Sequence, residues 1–452
     1  MKIVFALLHP DAFRHVERVV RLLLEERHSV LIVTDLHAKN SHPNSTGRSL
    51  FACKKDFQDN CRIEHWIRRD DAWQNWLFMS RELINYGLYF KPQHPSKGLK
   101  FRWEKYLPPW LWKRVGNAFM GKLLSLGPIM FLLRLVDKMA PPSRPICRWL
   151  KTVRPDVVLA MSGISPGSIE IEYIKAAKAL HIPSIIAIAS WDNLTTKGTY
   201  HVIPSLALVW NNELVKEAVE LHGLPGKIVA ATGAPTFDFW FDLKPTLSRE
   251  DFCREVGLDP NHPYIVYLCS SRGMIKEETI FVQTFIRQLR ANPLTENVSL
   301  LVRPHPLNMI NWMDLESDRV RVWPRGGEFS DILSARQDYY HAFFYCRAVL
   351  GINTSAMLEA AVADRPCLTV IDPRYKSAQG DMGHFRHLMR GGFLEVASSY
   401  EEAVNLIASI LQGNDPRQKE RRCFVKEFIR PCGMDREASA IMADLIKKIS
   451  NK

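Results

Sequence analysis

The nine cysteines include no C-x-x-C pair and no zinc-type spacing, which speaks against a structural metal and a disulfide framework. Reduced thiols, as a cytoplasm keeps them, are the expectation. No stretch reaches the ~20 apolar residues of a spanning helix. The nearest, Leu123–Leu133, contains Gly127 and Pro128. The opening run Ile3–Leu8 is too short for a secretory leader and meets His9, Pro10 and Asp11 at once. Internal repeats and low-complexity segments are also missing. G-x-G-x-x-G does not follow the first apolar run, so the common dinucleotide fingerprint is absent. Nor does the chain contain Asp-x-Asp, a usual metal–diphosphate anchor.

What is present is a globular composition, with 46% hydrophobic and 24% charged residues over 452 positions. That length exceeds one ordinary domain. The formal net charge of +12 favours polyanionic partners. Basic and aromatic residues mix most densely between Tyr89 and Trp149, where Lys105, Lys113 and Arg114 stand beside Trp103, Tyr106, Trp110 and Trp112. No helix-turn-helix or RNA-binding motif accompanies them, so no nucleic acid beyond a small nucleotide is expected. An anionic membrane surface suits the Trp/Lys mixture better. The plain alternative is a solvated face on a helical insertion.

Periodicity divides the chain in two. Lys2–Leu8 and Ser29–Thr34 read as buried strands around a helix over Arg14–Arg27, a βαβ opening. Residues 68–150 look mainly helical, broken by Pro108-Pro109 and Pro141-Pro142. Strand–helix alternation then resumes with strands at Asp156–Met161, Ser184–Ala189, Leu206–Trp210 and Lys227–Thr232. A second series has strands at Tyr264–Cys269, Val298–Val302, Ala348–Ile352 and Cys367–Ile371. The expectation is two doubly wound, Rossmann-like α/β domains facing a cleft. Residues 1–240, with a helical insertion at about 68–150, form the first and 241–435 the second. Residues 436–452 form a helix packing back toward the first.

In such sheets ligands bind beyond the carboxyl ends of strands. Polar loops stand there at His9-Pro10-Asp11, Ser162–Gly167, Ser190–Gly198, Ser270–Gly273, Arg303–Pro306 and Gly351–Ser355. Asn353, Thr354 and Ser355 lead into a helix, a start suited to phosphate. Helix capping is the simpler alternative for one hydroxyl of that run. Arg272, Arg303 and His305 supply charge or hydrogen bonds to a phosphate. Glu359, one turn past Ser355, faces a ribose. Lys197 either binds phosphate or faces solvent. Trp191 stacks on a sugar or, more simply, packs.

The pair Arg303-Pro304-His305-Pro306 and Thr354–Ala360 resembles motifs of GT-B-fold bacterial capsule and surface-polysaccharide transferases, including Kdo-type capsule transferases. Teichoic-acid CDP-glycerol glycerophosphotransferases have a similar pair, and Ser190–Gly198 resembles a Trp-Asp-Asn loop grouped with these enzymes. The resemblance leaves 68–150 unmatched. It implies a nucleotide-activated sugar donor, a glycan or lipid-linked acceptor, no cofactor and no metal. His305, Thr354 and Ser355 would then touch donor phosphates and Glu359 the ribose. His9, Asp11 and Asp192 are the candidates for the catalytic base. A simple cap for Asp11 and an Asx turn for Asp192 are the alternatives. A CDP-alcohol phosphotransferase, a nucleotide-sugar 2-epimerase and a non-catalytic donor-binding protein stay open. The expected location is the cytoplasm, peripheral on the inner membrane face.

Overall fold

Every named strand pairs in parallel in the computed structural model, which describes residues 1–450 except 38–46, 272–274, 276, 307, 309–311, 327–328 and 331. The first sheet holds β1 (Lys2–Leu7), β2 (Ser29–Thr34), β3 (Cys61–His65), β4 (Val157–Met161), β5 (Ser184–Ala187), β6 (Leu206–Val209) and β7 (Val229–Ala231), in the order β3-β2-β1-β4-β5-β6-β7. The second holds β8 (Tyr264–Leu268), β9 (Ser299–Arg303), β10 (Val320–Val322), β11 (Val349–Gly351), β12 (Cys367–Val370) and β13 (Leu394–Ala397), in the order β10-β9-β8-β11-β12-β13. Central strands are buried on both faces, which is why they read as unbroken apolar runs. Ile3 sits opposite both Val30 and Val157, and Val266 opposite both Leu301 and Val349.

Both halves are Rossmann-like. Each builds outward from its first strand and then returns to the other side of it. The reversals fall between β1 and β4 and between β8 and β11. Loops leaving these strands diverge to opposite faces there and leave a crevice. The opening helix differs from its expected course. Pro10–His15 is a 3-10 turn, and the α-helix covers only Glu17–Glu25. Pro10 has no N–H to lose at the start of such a turn. Helices Trp73–Leu88, Pro109–Val115, Ala118–Leu124, Gly127–Met139 and Arg144–Val153 make up the insertion.

The C-terminal helix Ala438–Ser450 lies against Glu17–Glu25, with ion pairs Arg18–Glu437 at 2.8 Å and Lys447–Glu26 at 2.9 Å. Asp238 ties this end down. Its buried carboxylate accepts the N–H groups of Ala438 and Ser439 at 3.1 and 2.7 Å and pairs with Arg430 at 3.0 Å. Asp238→Ala would leave a buried guanidinium without its counter-charge. The expected cost is about 3–5 kcal/mol, read as a lowered urea midpoint. A midpoint unchanged from the parent protein would show that this junction does not anchor the helix.

Candidate active site

The loops leaving β1, β4, β5, β8, β9 and β11 converge on a cavity of about 530 Å³ between the two halves. Nine candidates from the sequence line it. His9, Asp192 and Lys197 come from the first half, and Arg303, His305, Asn353, Thr354, Ser355 and Glu359 from the second. Asp11 instead lines an adjoining cavity of about 700 Å³ in the first half. Its carboxylate accepts the Gly47 N–H at 2.9 Å; the cap position of the Pro10–His15 turn belongs to His9, whose side chain makes no cap bond. Arg272 lies outside the described residues. Leu8, His9 and Ser165 line both cavities, so the two meet at His9.

Positive charge dominates the inter-half cavity. Arg14, Arg102 and Arg336, absent from the sequence candidates, join Lys197 and Arg303. Among the described lining residues only Asp192 and Glu359 are acidic. Arg303 is partly committed, pairing with Asp338 at 2.9 Å and lying over the Tyr339 ring. Burial lowers the Lys197 ammonium against the pull of Asp192. Burial alone would raise the Asp192 carboxyl. Nearby His384 and Lys197, with the Ser190 and Thr196 hydroxyls, outweigh it and hold the group below the usual range. The alternative of an Asx turn does not hold: the Asp192 carboxylate makes no cap bond and accepts from Thr196 Oγ1 at 2.8 Å. Glu359 is pushed up to about 7 by burial, opposed by the Tyr339 hydroxyl and Arg303.

Histidines are numerous and uncharged here. Burial lowers His305 to about 4, with Arg14 across the cavity adding to the effect. His305 is therefore a neutral donor or acceptor at pH 7, which leaves hydrogen bonding of the two roles read from the sequence. His384, which carried no sequence signal, is lowered to about 4 by burial. It lies edge-on to Trp191 at 5.0 Å and 3.2 Å from Asn353 Nδ2. Burial also lowers His9, while Asp11 opposes and Arg14 and Lys197 reinforce the effect.

The helix after Ser355, Ala356–Val362, has only seven residues, and Ser355 makes no side-chain cap bond. Its dipole is correspondingly slight, so anion binding must rest mainly on side chains. Ser355 Oγ instead accepts the Trp191 indole N–H at 3.0 Å. Trp191 is thus buried and joins the two halves. Asn353 is held by the Ala378 carbonyl and His384. Five buried polar atoms around the cavity have no hydrogen-bond partner among the described residues: His9 Nδ1, His15 Nδ1, an Arg303 Nη, Asn353 Oδ1 and His384 Nδ1. Buried polar atoms are normally satisfied, so such a concentration marks a place built for a polar ligand.

The insertion fixes the first-half loops. Glu82 and Asn85, one turn apart on Trp73–Leu88, are both buried. Glu82 accepts the Gly167 N–H at 2.8 Å and the Trp103 indole N–H at 3.0 Å. Asn85 Oδ1 accepts the Thr199 N–H at 3.0 Å. A Cβ at Gly198 would meet the Asn85 amide at 2.4 Å, so a larger residue there would displace the group that holds the Thr199 N–H. Tyr89 donates to the Lys197 carbonyl at 2.8 Å.

No described protein family and no curated protein matches the sequence. Solved structures match over nearly the whole chain. A UDP-GlcNAc 2-epimerase from Neisseria meningitidis bound to UDP-GlcNAc is 12% identical, with a TM-score of 0.54, covering 99% of this chain and 100% of its own. A glycosyltransferase from Rickettsia africae ESF-5 is 9% identical, with a TM-score of 0.54, covering 99% and 98%. A UDP-GlcNAc 2-epimerase from Methanocaldococcus jannaschii in complex with UDP-GlcNAc and UDP is 12% identical, with a TM-score of 0.52, covering 98% and 99%. The chain shares their two-domain GT-B fold. At these identities the likeness concerns the fold.

Proposed function

We propose that the chain is a glycosyltransferase that moves a sugar from a nucleotide-activated donor to a glycan or lipid-linked acceptor of the cell envelope. The observation that carries the reading is the meeting of two cavities at His9. One is basic and built across both halves, as a donor diphosphate requires. The other lies wholly in the first half and gives a second substrate room of its own. In the reaction, the acceptor oxygen forms a bond to the anomeric carbon. The bond from that carbon to the donor phosphate oxygen breaks, leaving its electron pair on the phosphate. The acceptor proton passes to His9. Lys197, Arg303, His305 and the Thr354 and Ser355 hydroxyls hold the leaving phosphate, while Glu359 accepts from the ribose.

A 2-epimerase is the second reading, favoured by the epimerases among the structural matches. It acts on one nucleotide sugar and leaves the adjoining cavity without a role. The test is a thermal-shift panel of UDP-, GDP-, CMP- and CDP-linked compounds, followed by assay of the compound that binds. A ligand at 100 Kd stabilises by about 2.7 kcal/mol. Transfer or donor hydrolysis supports the proposal, and interconversion of two nucleotide sugars supports the epimerase. A CDP-alcohol as the active donor would redirect it to a phosphotransferase. Binding with no turnover on any acceptor extract would leave a donor-binding protein. Activity is expected to survive EDTA, because the chain lacks Asp-x-Asp and basic side chains line the cavity. Loss on chelation, restored by Mg²⁺ or Mn²⁺, would overturn the metal-independent reading.

A further inference from the structure

Of the twenty large apolar side chains that stand exposed among the described residues, nine lie between Trp76 and Met139, a seventh of the chain. On the helix Gly127–Met139 they form a pattern. Positions 128, 131, 132, 135 and 139 fall within an arc of about 100° at the α-helical turn angle. Phe131, Leu132 and Met139 on that arc are 56%, 58% and 71% exposed. The opposite side, with Met130 and Asp137, is buried, and there Asp137 pairs with Arg81 of the insertion and with Lys175 on the helix Glu170–Ala179. An amphipathic helix in a soluble protein ordinarily turns its apolar arc inward. This one buries the side carrying a charge and presents the apolar arc outward, and Phe119 on the preceding helix is 75% exposed as well.

Charge decides what covers this face. Nine Lys and Arg occur between 97 and 139 against two acidic residues, Glu104 and Asp137, and Asp137 is consumed in its ion pairs. Lys113, Arg114, Lys122, Arg134 and Lys138 are all exposed, on the same three helices that carry Trp110, Phe119 and the apolar arc. A second copy of this chain would bring the same positive charges against them. An anionic lipid surface supplies the opposite charge and an apolar layer together. No single helix among the described residues is long and apolar enough to cross a membrane, and the pair Ala118–Leu124 and Gly127–Met139 is bent by 69°. The geometry is that of a face lying in the interface.

We infer that this face docks the protein onto bilayers rich in anionic lipid, with Phe119, Phe131, Leu132 and Met139 inserted and the surrounding Lys and Arg on the headgroups. The inserting residues differ from the tryptophans that stand out in the sequence. Trp103 is fully buried on Glu82, Trp112 and Trp149 are half-buried, and Trp110, though 54% exposed, stands on Pro109–Val115, off the Gly127–Met139 arc. The helix Trp73–Leu88 links the face to the site, because it packs against both outer helices while Gln74, Asn75, Phe78 and Arg81 line the larger cavity. A membrane-held acceptor would thus arrive beside the cavity assigned to it, a corollary that rests on the transfer reaction proposed above. The docking itself does not.

The test is flotation of the full chain with phosphatidylcholine vesicles, with and without phosphatidylglycerol. The protein is expected to float with the mixed vesicles only, and less as salt rises. The variant Phe131→Ser/Leu132→Ser/Met139→Ser should recover at least tenfold less in the floating fraction at an unchanged melting temperature. Lys113→Glu/Lys122→Glu should lose flotation at low salt. Equal recovery in the soluble fraction whatever the lipid, or flotation undiminished in both variants, overturns the inference. So does a concentration-dependent dimer that the triple serine variant abolishes. Thermal shift with UDP-GlcNAc on the same variants tests the donor site separately, since these residues lie outside it.

Discussion

His305→Ala is expected to lower kcat by about 10²-fold or more while leaving the melting temperature within error of the parent protein. The scale is that of removing one preorganised hydrogen-bond donor from charge developing in a transition state. His305 follows β9 and shares the inter-half cavity with Thr354 and Ser355. Burial and Arg14 hold its imidazole down to about 4, so in the free protein it stays uncharged from pH 5 to 8. The sign matters for the assay. A lowered imidazole gains its proton only as pH falls toward 4. A change in kcat/KM between pH 6 and 8 therefore belongs to another group. His305→Gln, which keeps an N–H donor, should recover part of the loss. A purely structural His305 gives the opposite pattern: a lower melting temperature, with normal turnover by the protein that stays folded. Melting temperature and kcat measured on one preparation separate the two outcomes.

How much of this was legible in the sequence depended on what fixes each feature. Central strands such as β1, β4, β8 and β9 are buried on both faces, and their composition shows it directly. Three of the four edge strands were missed, while β7 was read within Lys227–Thr232. β3 reads Cys-Arg-Ile-Glu-His, β10 has three residues with Arg321 in the middle, and β13 contains Glu395. One-sided pairing tolerates such polarity and erases the apolar run. Loop residues flanked by proline or gathered in hydroxyl runs, such as His305 and Thr354–Ser355, stood out because their positions follow strands. His384, Arg14 and Arg102 did not. His384 reaches the cavity from a loop 31 residues beyond Asn353, and the two arginines were two among 60 Lys and Arg. Glu82 and Asn85 look like surface residues of a helix, and only tertiary packing makes them the supports of the Ser162–Gly167 and Ser190–Gly198 loops.

The choice of catalytic base turns on His9 against Asp192, and His9→Ala is expected to lower kcat by about 10²–10⁴-fold, the range for general acid–base catalysis. Position comes first. His9 lines both cavities, whereas Asp192 lines only the one between the halves. A group that takes a proton from an acceptor while donor lies alongside has to reach both. Proton affinity comes second. Asp192 is held below the usual carboxylate range and spends its oxygens on Thr196 and Ser190 hydroxyls. A carboxylate so satisfied is a weak base. His9 is lowered from 6.5 by burial, so it is unprotonated at pH 7, and its Nδ1 has no partner among the described residues. A base must be unprotonated to act. Activity should therefore be full above the His9 pKa and fall away as pH drops through it, with the acid limb below pH 6.5. His9→Ala should remove that limb along with the rate, and thermal stabilisation by the donor should persist. Asp192→Asn should weaken donor binding or loop order more than it flattens the pH profile. Retention of the acid limb in His9→Ala, with its disappearance in Asp192→Asn, would reverse the assignment. Proton transfer would then have to run through the carboxylate held by Lys197 and His384, on the donor side of the junction.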